Sequence, residues 1–205
     1  MAKSSRAWIE RHVSDPYVKR ARSMGYRSRA AFKLLEIDAQ DRLFGRGQLV
    51  ADLGAAPGGW SQVAAEKVGP GGRVVAVDLI ALTELPRVTF IQGDLTEESV
   101  LRAVAEAFDG APLDLVLSDM SPNLSGVAAV DQARTMELCD RALDFALRHL
   151  KPNGALLVKT FHGAGFPEFL GRVRARFERV LVRKPGASRS RSAETYLLAR
   201  GVRRA

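Results

Sequence analysis

The chain has 205 residues, 46% of them hydrophobic and 26% charged, with a net charge of +8. These are the proportions of one globular domain. No apolar run approaches the roughly 18 residues of a membrane helix, and the opening MAKSSRAWIERHV lacks the apolar segment of a secretory signal; a cytoplasmic protein with no membrane partner is expected. The lone Cys139 excludes an internal disulfide, and His12, His149 and His162 show no metal-ligand spacing, so neither redox nor metal chemistry is expected.

Charge is unevenly placed. Residues 1–33 carry a net +7, residues 172–205 a net +9, and residues 34–171 a net −8. An acidic body between basic ends suits a polyanion held beside a site that it does not enter wholesale. Nucleic acid is therefore the expected partner, with two solvated arginine-rich surfaces as the plainer alternative.

Residues 1–26 read as a polar, basic arm, and RSRAAFKLLEIDAQ (27–40) as a helix leading into a single domain over 27–205. The arm interleaves Tyr17 and Tyr26 with Arg and Lys, a composition suited to phosphate contacts with base stacking, although tyrosines in such arms also serve as anchors. QLVADLG (48–54) reads as a buried parallel strand, followed by a glycine-rich turn and a helix over 58–68. Glycines there let the backbone approach a ligand, and ligands of open α/β sheets bind at the strands' carboxyl ends. Gly54, Gly58 and Gly59 are not spaced as the dinucleotide fingerprint requires, and Pro57 removes an N–H that a phosphate loop would use. A nucleoside without phosphates fits better, and S-adenosylmethionine is the common one.

The next strands end in acids. RVVAVDL (73–79) carries Asp78, where a carboxylate accepts both hydroxyls of a ribose. VTFIQGD (88–94) ends on Asp94, where it or a neighbouring backbone group could take the adenine amine, and LDLVLSD (113–119) ends on Asp119 at the opening of DMSPN. Singly these read as turn formers or caps. Together with Asp52 they suit a cationic sulfonium. LTEESVLRAVAEAF (95–108) reads as a helix capped at Thr96. A long helix over 128–150 is stopped by Lys151-Pro152-Asn153-Gly154, and ALLVKTF (155–161) is the next strand. ERVLVRKP (178–185) and AETYLLARG (193–201) are joined by RKPGASRSRS (183–192), a basic loop read as mobile and too short for a crossover helix, so they pair antiparallel. The sum is a Rossmann-like doubly wound α/β sheet, mostly parallel, with an antiparallel C-terminal strand. No long apolar surface helix is left once the sheet is covered, which points to a monomer.

SRAAFKL, DLGAAPGGWSQ, VDL, QGDL, SDMSPNLSG, LVKTFHGAGF and VRKPGASRSRSAETYLLARG follow in order from about residue 4 to residue 201. This pattern resembles the FtsJ/RrmJ (RlmE) family of ribosomal RNA large-subunit 2′-O-methyltransferases. The resemblance implies a class I S-adenosylmethionine-dependent sheet, with a catalytic Lys-Asp-Lys-Glu set at Lys33, Asp119, Lys159 and Glu194. It adds Trp60 and Asp119 to the cofactor site beside Gly54, Gly58, Gly59, Asp78 and Asp94. The implied substrate is a uridine of large-subunit ribosomal RNA on an assembled or late-assembling 50S subunit.

A ribose 2′-hydroxyl must lose its proton as it attacks the sulfonium methyl in line, and Lys159 resembles the family's proton acceptor. A free lysine near pKa 10.4 is about one part in 2,500 neutral at pH 7, a cost of roughly 4.6 kcal/mol. Lys33 and burial favour the neutral amine, while Asp119 and Glu194 favour the ammonium. Both a general base and an orienting cation are open to Lys159 at this point. Other classes fit less well. A base N-methyltransferase would carry an Asn/Asp-Pro-Pro-aromatic turn where this chain has DMSPN, and a small-molecule methyltransferase would not need basic flanks. A non-enzymatic RNA-binding module has no use for the four polar residues, and the Gly54 to Gly59 spacing disfavours a nicotinamide oxidoreductase.

Overall fold

The computed structural model describes residues 15–123, 125–189 and 192–203. Most of the basic arm, residues 1–14, lies outside the described residues, as do Leu124, Ser190, Arg191 and the last two. In chain order the elements are α1 (Pro16–Ser23), α2 (Ala30–Asp41), β1 (Leu49–Leu53), α3 (Gly59–Val68), β2 (Arg73–Asp78), β3 (Val88–Gln92), α4 (Glu98–Glu106), β4 (Leu113–Ser118), α5 (Ala128–His149), β5 (Leu150–Phe161), α6 (Phe166–Arg176), β6 (Phe177–Arg183) and β7 (Glu194–Val202). The strands form one sheet in the order β3-β2-β1-β4-β5-β7-β6. Six point the same way, and β7 runs antiparallel to both its neighbours.

Helices cover both faces of the sheet, and the two-residue period of the strands decides which side chains meet which layer. On β5, Leu156 and Val158 join the core with Cys139 and Phe145 of α5 and Phe169 of α6. Ala155 and Leu157 join Leu34 and Ile37 of α2 and Trp60 and Val63 of α3 on the other face. On β7, Tyr196 and Leu198 share that second face. Lys159 and Glu194 follow in the same parity, and so point toward the layer that carries Lys33 and Trp60.

The structure departs from the sequence reading in four places. Residues 16–23 are helical, with Pro16 in the first turn and the Asp15 carboxylate accepting from the N–H of Tyr17 at 2.9 Å. This helix buries Val18 and Ala21, so the described part of the arm is packed on the body. Helix α6 was not expected, yet Phe166, Phe169 and Val173 are its buried face behind Gly165 and Pro167. Thr96 does not cap α4; its N–H donates to the Asp94 carboxylate at 2.8 Å in a turn, and Glu97 takes the cap position without a side-chain bond. Residues 151–154 bulge within β5, where the register jumps from Leu113↔Leu150 to Leu115↔Ala155. Among the described residues no helix is long and apolar enough to cross a membrane.

Candidate active site

The strand order reverses between β1 and β4, and a cleft lies at that point. Gly54, Ala55, Ala56, Pro57, Gly59 and Trp60 of the turn from β1 into α3 form one wall, Asp119 after β4 another, and Ser28, Arg29 and Ala30 the third. Gly54 has φ +77°, and a Cβ there would lie 2.4 Å from Cγ of Met120, so a side chain would close the turn onto the β4 loop. Gly58 caps α3 at φ +102°, and its missing Cβ faces Arg27 and Leu85, away from the cleft residues. Trp60 is 2% exposed. Its indole donates to the Ala30 carbonyl at 2.8 Å, and its ring lies 5.6 Å from that of Tyr196.

Asp78 ends β2, and both its oxygens accept backbone N–H groups at 2.8 Å, from Ala56 in the turn and from Ile80. It therefore shapes the turn as well as standing at its rim. Asp94, two residues beyond β3, is not among the cleft walls. The Thr96 N–H that bonds its carboxylate holds its pKa below the ordinary range.

The four polar residues expected to act together do converge. Lys159, near the carboxyl end of β5, is 7% exposed. Its Nζ donates to the Asp119 carbonyl at 2.5 Å and lies 3.2 Å from the Asp119 carboxylate. Lys33, in the first turn of α2, meets Glu194 at 2.7 and 2.8 Å through its two oxygens. Glu194 reaches the crevice because β7 runs backwards. Its first residues lie opposite the last ones of β5, with Phe161 facing Glu194 and Lys159 facing Tyr196. Burial works to raise the Glu194 carboxyl, but Lys33, the Ser188 hydrogen bond and Lys159 outweigh it and hold the pKa below the ordinary value. The two lysines are thus each paired with a carboxylate.

Tyr196 joins the two pairs and was not singled out in the sequence. It is fully buried; its hydroxyl donates to Asp119 at 2.9 Å and Lys33 stands 5.8 Å over its ring. Burial, then the charges of Asp119 and Glu194, push its phenol well above the ordinary value, so it stays a neutral donor. The available signal was strand parity, two residues on from Glu194. Ser28 was also missed: its Oγ is buried on the cleft wall with no partner among the described residues. No periodic pattern marks it.

The described part of the basic arm and the first half of the loop before β7 are less free than their composition suggests. Tyr17 and Tyr26 flank Phe32 with ring centroids at 5.7 and 5.8 Å. Their hydroxyls meet Glu36 and Glu66, which makes them anchors rather than stacking platforms. Arg29 bridges Asp15 and the Ala187 carbonyl, and Ala187 is fully buried, so the first half of the loop is strapped to the body.

A seven-stranded sheet with one reversed strand, and a glycine-lined cleft at its switch point, is the architecture of the class I methyltransferases. The chain matches the profile of the FtsJ-like methyltransferases over residues 26–202 and belongs to that family. It is 54% identical over 98% of both chains to the ribosomal RNA large subunit methyltransferase E of Bordetella pertussis, and 57% identical over 96% of both to that of an Azoarcus species. Among solved structures, a Plasmodium falciparum protein described as a ribosomal RNA methyltransferase superposes with a TM-score of 0.76 at 25% identity, covering 86% of this chain and 98% of that one. MycE of the mycinamycin pathway, in complex with magnesium and SAH, superposes at 0.56 with 14% identity over 84% of this chain and 47% of its own, a likeness of fold alone.

Proposed function

We propose that this protein transfers the methyl group of S-adenosylmethionine to the ribose 2′-hydroxyl of a uridine in large-subunit ribosomal RNA. It does so as a monomer in the cytoplasm, on an assembled or late-assembling 50S subunit. The observation that carries the reading is the convergence of Lys33, Asp119, Lys159 and Glu194 beside the cleft. The names of the relatives supply the substrate class.

The cleft fits this cofactor. The carboxylate of Asp119 on its wall suits a cationic nucleoside, with Asp78 bonded to Ala56 of the glycine turn; that turn admits a ligand at close range, and the orphaned Ser28 hydroxyl offers a buried donor. Gly54, Gly59, Trp60, Asp78 and Asp119 are the residues that would hold it, with Gly58 shaping the turn and Asp94 outside the cleft walls. When bound, S-adenosylmethionine supplies an electrophilic methyl on its sulfonium.

The chain's own part is to position and polarise the hydroxyl. Lys159, gripped by the carbonyl and carboxylate of Asp119, is fixed to orient the hydroxyl oxygen and stabilise the negative charge left on it, the hydroxyl proton passing to solvent water as the oxygen takes the methyl group. Tyr196 fixes the Asp119 carboxylate, and Lys33, held by Glu194, contacts the nucleotide at the mouth. Of the two roles open to Lys159, its pairing with Asp119 supports the orienting cation.

Much of the basic charge is engaged within the fold. Arg183 pairs with Asp41, Arg200 caps α2, and Arg203 donates to the Phe177 carbonyl. Lys19 and Arg22 on α1, and Arg189, are exposed and have no partner among the described residues, and Arg20 is exposed with its guanidinium over Phe32. This surface, beside Arg29 and the cleft, is the one assigned to RNA phosphates.

The test is transfer of labelled methyl to large subunits lacking the modification, with protein-free RNA alongside and nucleoside analysis of the product. A 2′-O-methyluridine on the subunits is expected. Label on a base, or no label from a protein that binds the cofactor, would overturn the assignment.

A further inference from the structure

Glu194 has a partner that the transfer chemistry leaves unexplained. The hydroxyl of Ser188 donates to Oε1 of Glu194 at 2.7 Å, and Ser188 is 8% exposed. Lys33 reaches both oxygens of the same carboxylate, but an ammonium on a flexible stem is a point charge that does not set the plane of the group it meets. A hydroxyl donating to one oxygen from a fixed backbone does.

That backbone is held from several sides. Ala187 packs against Ala21 and Phe32. Its N–H donates to Glu36 Oε2 at 3.1 Å, and its carbonyl accepts from Arg29. The N–H of Ser188 donates to the Pro185 carbonyl at 2.9 Å. Glu36 lies on α2, three residues on from Lys33, so one helix fixes both the loop and the cation. Ser192 serves the same residue from the other side, accepting the Glu194 N–H at 3.2 Å.

We propose that Ser188 is a positioning residue for methyl transfer, its hydroxyl fixing the Glu194 carboxylate so that Glu194 holds the Lys33 ammonium in one place at the mouth of the cleft. This rests on the roles given above to Lys33 and Glu194. The groups that face Glu194 are Lys33 from α2, Lys159 from β5, Tyr196 from β7, Arg29 ahead of α2, and Ser188. Ser188, with the two lysines, is among those that stabilise its ionised form.

The full chain with Ser188→Ala, Ser188→Cys or Ser188→Thr tests this in two ways. Carbon NMR of labelled glutamate carboxyls, in the cofactor-free protein, should show the Glu194 titration moved to higher pH in the Ala and Cys variants and restored in the Thr variant. With saturating large subunits, kcat should fall about 5- to 20-fold in Ala and Cys while cofactor binding changes less than about twofold, and Thr should recover to within about threefold. If Ala disturbs folding, judged by cofactor binding, Cys keeps the volume without a strong donor and reads out the same loss. An unmoved Glu194 titration with wild-type kcat, or a Thr variant as slow as Ala, would overturn the proposal. A wild-type protein that methylates something other than ribose would instead defeat the substrate reading and leave the NMR result standing.

Discussion

Asp52 is fully buried on β1, with one oxygen accepting from the Ser61 hydroxyl at 2.6 Å and the other without a partner among the described residues. Burial, with added repulsion from Asp119 and Asp78, pushes its carboxyl up to about 7, against the opposing Ser61 bond. An acid whose pKa is raised by folding favours the fold while both states are protonated. Its contribution is lost at about 1.4 kcal/mol per pH unit as pH climbs from the unfolded value to the folded one. Asp52→Asn keeps an acceptor for Ser61 and removes this slope. Its melting temperature relative to wild type should rise between about pH 4 and 7 and level off above, whereas a constant difference would show that Asp52 does not titrate there. Cys139 is set apart in the same way. Burial pushes its thiol up to about 12, and it donates to the Lys159 carbonyl at 3.3 Å. A disulfide reagent at pH 8 should leave the folded chain unmodified and react fully once guanidinium unfolds it; equal rates in the two states would contradict that burial.

Helix α2, which carries Lys33, ends on Asp41, where a carboxylate opposes the helix dipole. Arg183 of β6 answers it with two hydrogen bonds at 2.7 Å, and Arg200 of β7 donates to the carbonyls of Asp41 and Arg42. Arg183→Ala leaves a nearly buried carboxylate without its partner and should cost about 1.5–3 kcal/mol, lowering the melting temperature by roughly 3–12 °C; a change under about 1 °C would mean the pair is replaced by solvent. The strands and α3 were legible because β-branched runs and a glycine turn are local signals. Helix α6 was not, since Phe166, Phe169 and Val173 form its apolar stripe behind Gly163-Ala164-Gly165, which reads as loop. Helix α1 has only Val18 and Ala21 to bury, too little periodicity to see. Asp119 and Lys159 were visible in the site as polar residues closing apolar strands. Ser28, whose hydroxyl has no partner among the described residues, and Ser188, whose loop is held by Arg29 and Glu36, take their places through the packing of distant segments, which no spacing records.

At the scale of the molecule, the two basic ends meet where Arg29 and Glu36 tie α1, α2 and the loop before β7 together. Lys19, Arg20 and Arg22 are exposed on α1, whose capping residue Asp15 is tied to Arg29 of the cleft wall. Reversing all three to Glu should weaken binding to large subunits and reduce the slope of log affinity against log salt by roughly two to three units, with cofactor affinity unchanged; an unchanged slope would place the RNA elsewhere. The central assignment is that Lys159 acts on the substrate hydroxyl and does not hold the cofactor. Single-turnover methyl transfer to undermethylated large subunits by Lys159→Ala, with calorimetric cofactor binding on the same preparation, tests it most directly. The expected result is a rate lowered by about a thousandfold or more with cofactor affinity within about threefold of wild type. Transfer at a near-normal rate, or a cofactor affinity that falls in step with the rate, would contradict it.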